Sequence, residues 1–180
     1  GVQVISGLAR GTDAAAHAGA LEGGGDTFGV LGCGPDRVYP AENRELYRRV
    51  EERGGLISEY PPGTGPLAYH FPARNRIISG LSDCVAVLEA GEKSGALITA
   101  SIALEQGKEV FAVPGRPGDR LSAGTNGLLR DGARILASED DILSLWGLRK
   151  PLRISEKEKL CLDKNLEKVY SFDSKQRILL

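Results

Sequence analysis

The sequence predicts an α/β protein of three-layer, Rossmann-like architecture, in which an open, mostly parallel sheet carries helices on both faces. Three observations lead to this prediction. Short apolar runs rich in β-branched residues, such as residues 84–88, alternate along the chain with segments of helical spacing. Glycine accounts for 24 of the 180 residues, nearly double its usual share. The glycines cluster after the predicted strands, where open α/β sheets carry their ligand-binding loops.

The overall composition excludes several classes of protein. Apolar residues make up 41% and charged residues 26% of the chain, which is ordinary for a globular domain. The net charge of −1 argues against a protein that coats nucleic acid, although it is compatible with a small basic pocket. Three widely separated cysteines predict neither a disulfide framework nor a metal site, and no cofactor is expected. No apolar run approaches membrane-spanning length and no signal peptide opens the chain, so we expect a cytoplasmic protein.

The first predicted unit is a strand over residues 2–6, followed by an alanine-rich helix through residue 21. Gly7 and Gly11 let the intervening loop turn tightly. Free N–H groups at the start of the helix form an anion site that Arg10 would strengthen. The alternative is a plain strand-to-helix turn with Arg10 in solvent.

The second and third units repeat this pattern. The second has a strand over residues 27–31 and a charged helix over residues 42–53, and the loop between them contains Tyr39. The Tyr39 ring is suited to stacking on a base, or to covering the edge of the sheet. The third unit is a strand over residues 55–58 with a proline-containing loop that ends near His70, which is expected to be structural or to face solvent rather than to be catalytic.

The fourth unit carries two groups of candidate site residues. Arg74, Asn75 and Arg76 stand on an apolar helix, and Lys93, Ser94 and Gly95 follow the strand over residues 84–88. Side chains that are two positions apart on a helix cannot face the same side. We therefore expect one arginine to reach the cleft at the strand ends while the other, or Asn75, holds a neighbouring loop. Ordinary surface arginines are the alternative.

The last units complete the predicted sheet. A strand over residues 109–113 precedes Gly124, Thr125 and Asn126, which suit contacts to phosphate or base edges, although helix capping alone explains Thr125 or Asn126. A short strand over residues 133–136 and a helix over residues 140–146 follow. We expect a core over residues 1–147 and a charged, helical tail or linker outside the sheet over residues 148–180.

The inferred cleft is rich in cations and hydrogen-bond donors. Such groups suit phosphates or an exposed nucleotide. The sequence contains no Ser-His-Asp order, no phosphate-binding loop with a GxxxxGK[ST] pattern and no paired carboxylates in one loop, and the strand-end carboxylate of Glu89 is interpreted as structural. Binding is therefore favoured over turnover.

Seven motifs taken together closely resemble the core of the DNA-processing protein A family, also called DprA or Smf. They are SGLARGTDAAAH (6–17), LGCGPDRVYPAEN (31–43), ISEYPPG (57–63), FPARNRIISGLSD (71–83), EAGEKSGALITA (89–100), VFAVPG (110–115) and GTNGLLRDGA (124–133). The resemblance covers roughly residues 2–145 in the family's order. It implies a bacterial, homodimeric, non-enzymatic protein that binds single-stranded DNA, protects incoming DNA and helps load the RecA recombinase during natural transformation.

The resemblance also implies which residues form the DNA pocket. Carried over by motif, they are Gly7, Arg10, Gly11, Arg74, Asn75, Arg76, Lys93, Ser94, Gly95, Gly124, Thr125 and Asn126. Contacts there would be to the DNA backbone and to an unstacked base, and binding is expected to be salt-sensitive and weakly dependent on sequence.

The sequence departs from the family's pattern in two places. The family usually carries a first strand and helix with a VGxR-like loop before SGLARG, and this unit is absent. We expect a gap beside the strand over residues 2–6, a smaller pocket, marginal stability and weaker DNA binding than in a complete core. The tail is also too short for the winged-helix domain that many members carry.

Two other readings of the sequence stay open. A related family of nucleotide phosphoribohydrolases, the LOG or lysine-decarboxylase-like enzymes, shares the architecture and carries a PGGxGTxxE loop. Residues 94–104 contain no carboxylate, so the glutamate of that loop is missing. The second reading is a degenerate fragment of the family whose motifs persist without a working pocket.

Overall fold

A parallel seven-stranded sheet organises the protein. The computed structural model describes residues 2–148 and 176–179. Its strands are β1 (Val2–Ser6), β2 (Thr27–Val30), β3 (Gly55–Ile57), β4 (Cys84–Val87), β5 (Glu109–Ala112), β6 (Arg134–Ile135) and β7 (Gln176–Leu179). Their spatial order is β3-β2-β1-β7-β4-β5-β6, and every neighbouring pair is parallel. The six strands that the sequence predicts are all present, with ends that agree to within about two residues.

Helices connect the strands and cover both faces of the sheet. They are α1 (Thr12–Glu22), α2 (Arg44–Arg53), α3 (His70–Leu81), α4 (Gly95–Glu105) and α5 (Ala123–Arg130), and a further helix, α6 (Glu139–Leu143), follows β6 along the chain. α1 packs against α2, and α3 packs against α4. The right-handed crossovers that parallel sheets adopt place these two pairs on opposite faces. The predicted three-layer architecture is confirmed. None of the described helices is long and apolar enough to cross a membrane.

Two clusters of buried side chains hold the helices to the sheet. The larger one joins β1, β4 and β5 to α3 and α4 and includes Ile5, Val85 and Ile78. The smaller one lies under α2 and includes Leu8 and Tyr47. Because parallel strands are buried on both faces, β4 is apolar throughout, which is why the sequence reveals it so clearly.

The centre of the sheet contains a strand that the sequence does not predict. β7 lies between β1 and β4, and Ile178 is the register partner of both Val4 and Cys84. The predictions of a gap beside β1 and of a tail entirely outside the sheet are therefore wrong. The physical reason is that a strand in this position pairs backbone groups of two buried strands that a gap would leave unsatisfied. The rest of the predicted helical tail, residues 149–175, falls outside the described residues.

The chain divides into two compact units. The first comprises residues 1–137 with residues 175–180, and the second comprises residues 138–174. In the second unit, Ser138 and Asp141 form a capping box at the start of α6. All of the site described below belongs to the first unit.

Candidate functional site

A cavity of about 510 Å³ opens where β1 and β4 end. The last described residue of β7 pairs with Ile5 and Val85, so the cavity lies just beyond it, between Ser6 and the end of β4. Its lining includes Gly7, Arg10, Asp13, Tyr39, Phe71, Arg74, Asn75, Glu89 and Gly95. The strand order reverses at this point, and open α/β sheets bind their ligands at such switch points.

The loop between β1 and α1 is held in shape by an acidic side chain. The Asp13 carboxylate accepts hydrogen bonds from the backbone N–H groups of Gly7 at 3.0 Å and Ala9 at 3.2 Å. Leu8 has a φ of 53°, and its fully buried side chain anchors this strained position. The N–H groups of Gly7 and Ala9 in this loop are therefore already bonded to the protein's own carboxylate, and neither belongs to the first turn of α1.

Arg74 is a buried cation that joins the ends of two strands. It is 5% exposed, and its Nη1 donates hydrogen bonds to the carbonyl oxygens of Gly7, at 2.9 Å, and of Val30. Burial lowers the pKa of Arg74, and the nearby Asp13 charge opposes this shift. A Cβ atom at Gly7 would lie 2.5 Å from Nη1, which explains why residue 7 has no side chain. Arg74 therefore builds the cavity wall as well as lining it.

Arg10 stands at the rim of the cavity with its guanidinium in solvent. It forms an ion pair with Glu42, and this hydrogen bond raises the pKa of Arg10. The neighbouring Asn43 amide donates to the carbonyls of Leu8 at 2.9 Å and Ala9 at 3.2 Å. The segment before α2 thus fixes the loop that carries Arg10. An incoming anion has to displace only the exposed carboxylate of Glu42 from Arg10.

Two aromatic rings form one wall of the cavity. The ring centroids of Tyr39 and Phe71 are 5.5 Å apart with a tilt of 32°, and Tyr39 is 43% exposed. The Tyr47 hydroxyl donates to the Tyr39 carbonyl at 2.7 Å, and burial raises the pKa of Tyr47 to about 12. A Cβ atom at Gly32 would lie 2.8 Å from the Phe71 ring, so the chain passes directly beside it. Phe71 was not predicted as a site residue, and its signal in the sequence is an aromatic residue immediately before the basic turn of α3.

The RNR turn is divided between the cavity and the outer surface. Asn75 lines the cavity, and its amide reaches the carbonyl of Gly95 at 3.4 Å, which ties α3 to the start of α4. Arg76 is outside the cavity and pairs with Glu59 at 2.6 Å. This division agrees with the expectation that the two arginines face different sides, with Arg74 as the one that reaches the cleft.

The KSG motif contributes mainly backbone to the site. Ser94 is the N-cap of α4, because its hydroxyl accepts the Ala96 N–H at 3.3 Å. Gly95 lines the cavity, whereas Lys93 and Ser94 do not. The side chain of Lys93 is exposed to solvent.

The GTN motif lies inside the loop packing and does not line the cavity, contrary to the cleft inferred from the sequence. Gly124 donates its N–H to the Ala90 carbonyl at 2.8 Å, and Thr125 is 1% exposed with its hydroxyl bonded to a backbone carbonyl. The Asn126 amide bonds both the N–H and the carbonyl of Gly115 at 3.1 Å. The side chains of Thr125 and Asn126 thus close the loop between β5 and α5, and the Gly124 N–H joins this loop to the one after β4. Gly11 also falls outside the cavity lining.

The charged residues that line the cavity balance one another in number, which the sequence did not predict. Two carboxylates, Asp13 and Glu89, line it together with the two arginines, Arg10 and Arg74. Within residues 2–148, no hydrogen bond or ion pair engages the Glu89 carboxylate. No cluster of metal-binding side chains is found among the described residues.

Exposed cations also stand on the loops after β4 and β5, where Glu92 and Asp119 are exposed beside them. Arg116 and Arg120 are exposed, and within the described chain neither has an acidic partner. The Arg120 carbonyl lies 3.3 Å from the position of a Cβ atom on Gly91, so the two loops touch. The Leu121 carbonyl also accepts the N–H of Ala90 at 2.8 Å. We define Lys93, Arg116 and Arg120 as the basic rim.

Comparison with known proteins shows the family of this chain and several of its relatives. The sequence profile described as DNA recombination-mediator protein A matches residues 1–147. The chain belongs to this family. The DNA processing protein DprA of Streptococcus pneumoniae is 48% identical over 141 residues, which is 78% of this chain and 50% of that protein. Protein Smf of Escherichia coli is 49% identical over 144 residues, which is 79% of this chain and 38% of that protein.

Solved structures of the family have the same fold. The DNA processing protein A of Streptococcus pneumoniae matches with a TM-score of 0.73 and 45% identity, over 79% of this chain and 50% of that one. The DNA processing protein A of Helicobacter pylori, solved to explain its single-stranded DNA binding mode, matches with a TM-score of 0.72 and 32% identity, over 79% of this chain and 64% of that one. The chain spans about half the length of the curated relatives that it matches, or less. Membership of this family does not favour the phosphoribohydrolase alternative.

Proposed function

We propose that this chain is a binding module for single-stranded DNA, that it seats an unstacked base in the cavity, and that it has no enzymatic activity. The observation that carries the proposal is the aromatic pair Tyr39 and Phe71 in the wall of a cavity at the switch point of the sheet. Bases of single strands are free to stack on such rings, and every base has a face that can do so. The Helicobacter pylori relative, described by its single-stranded DNA binding mode, supports the same ligand class.

The charge distribution supports a base inside the cavity and phosphates outside it. Arg74 is already bonded to two carbonyls, and Glu89 would repel a phosphate group. Arg10 and the basic rim are exposed and able to reach phosphates. We infer that the DNA backbone passes along this edge while one base turns inward. The predicted roles of Lys93 and Arg10 are therefore phosphate contacts.

A second part of the proposal concerns the protein's partners. We propose that the chain acts as a homodimer that protects incoming DNA and helps load the RecA recombinase. The family's description as a recombination mediator supports a role in recombination for this chain. The test is a strand-exchange reaction in which the chain either does or does not relieve inhibition of RecA by a single-strand binding protein.

Fluorescence anisotropy with labelled oligodeoxythymidine tests the binding proposal. The wild type should bind in a salt-sensitive manner, and Arg10→Ala and Lys93→Ala should each weaken binding and reduce its salt dependence. Lys108→Ala and Arg130→Ala are the matched controls, because Lys108 directly precedes β5, Arg130 ends α5, and neither residue lines the cavity. Absence of binding by a folded wild type, or equal losses in the control variants, would contradict the proposal. Absence of base release in a nucleosidase assay is the result expected for a protein without turnover.

A further inference from the structure

We propose that Glu89 reads the hydrogen-bond donors of the base in the cavity and gives the site a preference for guanine. This inference rests on the proposed function, because it assumes that a base of single-stranded DNA enters the cavity. It assigns a ligand-contacting role to a side chain that the sequence suggested to be structural.

Glu89 occupies a fixed position at the mouth of the cavity. It follows β4 directly, and the backbone N–H of the next residue, Ala90, donates to the Leu121 carbonyl at 2.8 Å. The Ala90 carbonyl accepts the Gly124 N–H, also at 2.8 Å. Glu89 is therefore carried on a backbone that is tied to the next loop, and it lines the same cavity as Tyr39 and Phe71.

The Glu89 carboxylate has no internal role that would account for its place. Within residues 2–148 it takes part in no hydrogen bond and no ion pair. The other cavity carboxylate, Asp13, is in contrast bonded to two backbone N–H groups. The two arginines in the lining are also engaged, Arg10 with Glu42 and Arg74 with backbone carbonyls. Glu89 is the carboxylate of this lining that remains available to a ligand.

The chemistry of a carboxylate selects among the bases. An ionised carboxylate accepts hydrogen bonds and donates none, so it binds the edges of bases that present N–H groups and repels phosphate. Guanine presents N1–H and the N2 amino group side by side, and the two carboxylate oxygens can accept from both at once. Cytosine and adenine present one amino group, and thymine presents one N–H beside two carbonyl oxygens. The order of preference should therefore place guanine first and thymine last.

A competition experiment with matched oligonucleotides tests this inference. Unlabelled oligomers of repeating TTG, TTC and TTA, and pure oligodeoxythymidine of the same length, compete with labelled oligodeoxythymidine for the full chain. Isolated guanines avoid quadruplex formation. We expect the TTG oligomer to bind about fivefold more tightly than oligodeoxythymidine, a discrimination in the range of a good base contact.

Two variants separate the role of Glu89 from general charge effects. Glu89→Gln should lose most of the preference for TTG over oligodeoxythymidine, because an amide cannot accept from both guanine donors. Glu92→Gln, which removes an exposed carboxylate outside the cavity lining, should keep the preference. Tight binding of all oligomers without discrimination would overturn this inference and leave the proposed function standing. Loss of the preference in both variants would also overturn it, and failure to bind any oligomer would refute both.

Discussion

The guanidinium of Arg74 occupies the space where a side chain at Gly7 would stand. Its Nη1 donates to the Gly7 carbonyl at 2.9 Å, and a Cβ atom on residue 7 would come within 2.5 Å of the same nitrogen. These two residues are 67 positions apart in the sequence. Their contact fixes the end of β1 against α3, so the shape of the cavity depends on the absence of a side chain at one residue and the length of the side chain at the other.

Gly7→Ala should displace Arg74 and destabilise the protein by about 2 kcal/mol, because the buried carbonyls of Gly7 and Val30 lose their donor. Urea unfolding measures the loss. Arg74→Ala should cost a similar amount, and the double variant should cost much less than the sum, since both changes break the same contact. Additive losses would show that the two residues act independently.

Glu42→Gln should strengthen DNA binding by a few fold at low salt, because it releases Arg10 from its ion pair and removes a negative charge from the rim. Anisotropy titrations at two salt concentrations measure the change, and the gain should shrink as salt rises. Glu45→Gln is the control, since Glu45 pairs with Arg48 on α2. An equal gain in both variants would point to net charge alone.

Tyr47→Phe should loosen the segment that presents the Tyr39 ring, because the Tyr47 hydroxyl donates to the Tyr39 carbonyl. We expect a loss of about 1 kcal/mol in the free energy of unfolding and weaker binding of single-stranded DNA. Calorimetry and anisotropy measure the two effects. Unchanged affinity in the variant would argue that the position of Tyr39 is unimportant for binding.

His17 should make the protein less stable in mild acid. The Thr27 hydroxyl donates to the Val4 carbonyl at 2.9 Å and so accepts from His17 Nδ1 at 2.6 Å, and burial lowers the pKa of His17 to about 4. Below the ordinary pKa of 6.5, the unfolded chain takes up a proton that the folded chain does not. Stability should therefore fall as the pH drops from about 6.5 to about 4, by on the order of 3 kcal/mol, and this contribution is constant above that range.

Urea unfolding across this pH range measures the effect. His17→Asn places an amide nitrogen where Nδ1 stands and removes the titrating group, so its stability should change less with pH than that of the wild type. Parallel pH profiles for the two proteins would show that His17 is not the responsible group.

Removal of residues 175–180 should abolish cooperative unfolding, because β1 and β4 would lose the strand that joins them. Circular dichroism during urea unfolding measures this. An unchanged transition in the shortened chain would contradict the position of β7.

The sequence predicts most of the fold because the strands of a parallel sheet are buried on both faces and appear as apolar runs between glycine loops. Residues 84–88 illustrate this, since β4 is buried throughout. β7 could not be predicted in the same way. It follows a long charged segment. The strand also has too few apolar residues to show a periodic pattern in the sequence. Its place is set by pairing with β1 and β4, which is a property of the folded protein.

The location of the candidate site was predictable from the sequence, but the full set of residues that line it was not. Glycine loops at the strand ends indicate the correct edge of the sheet, and Arg10, Arg74 and Asn75 do line the cavity. Asn126 instead bonds Gly115, and Glu89 faces the cavity, because the direction of one side chain depends on the backbone that carries it. Residue type and spacing alone do not determine that direction.

Photo-crosslinking tests whether a base of single-stranded DNA lies against Tyr39 and Phe71. An oligodeoxythymidine containing 5-iododeoxyuridine would be irradiated in complex with the full chain, and the crosslinked peptides would be identified by mass spectrometry. We expect crosslinks at Tyr39 or Phe71. Tyr69 is an internal control, because it is 69% exposed but does not line the cavity. Crosslinks confined to Tyr69 or to other surface residues would contradict the account.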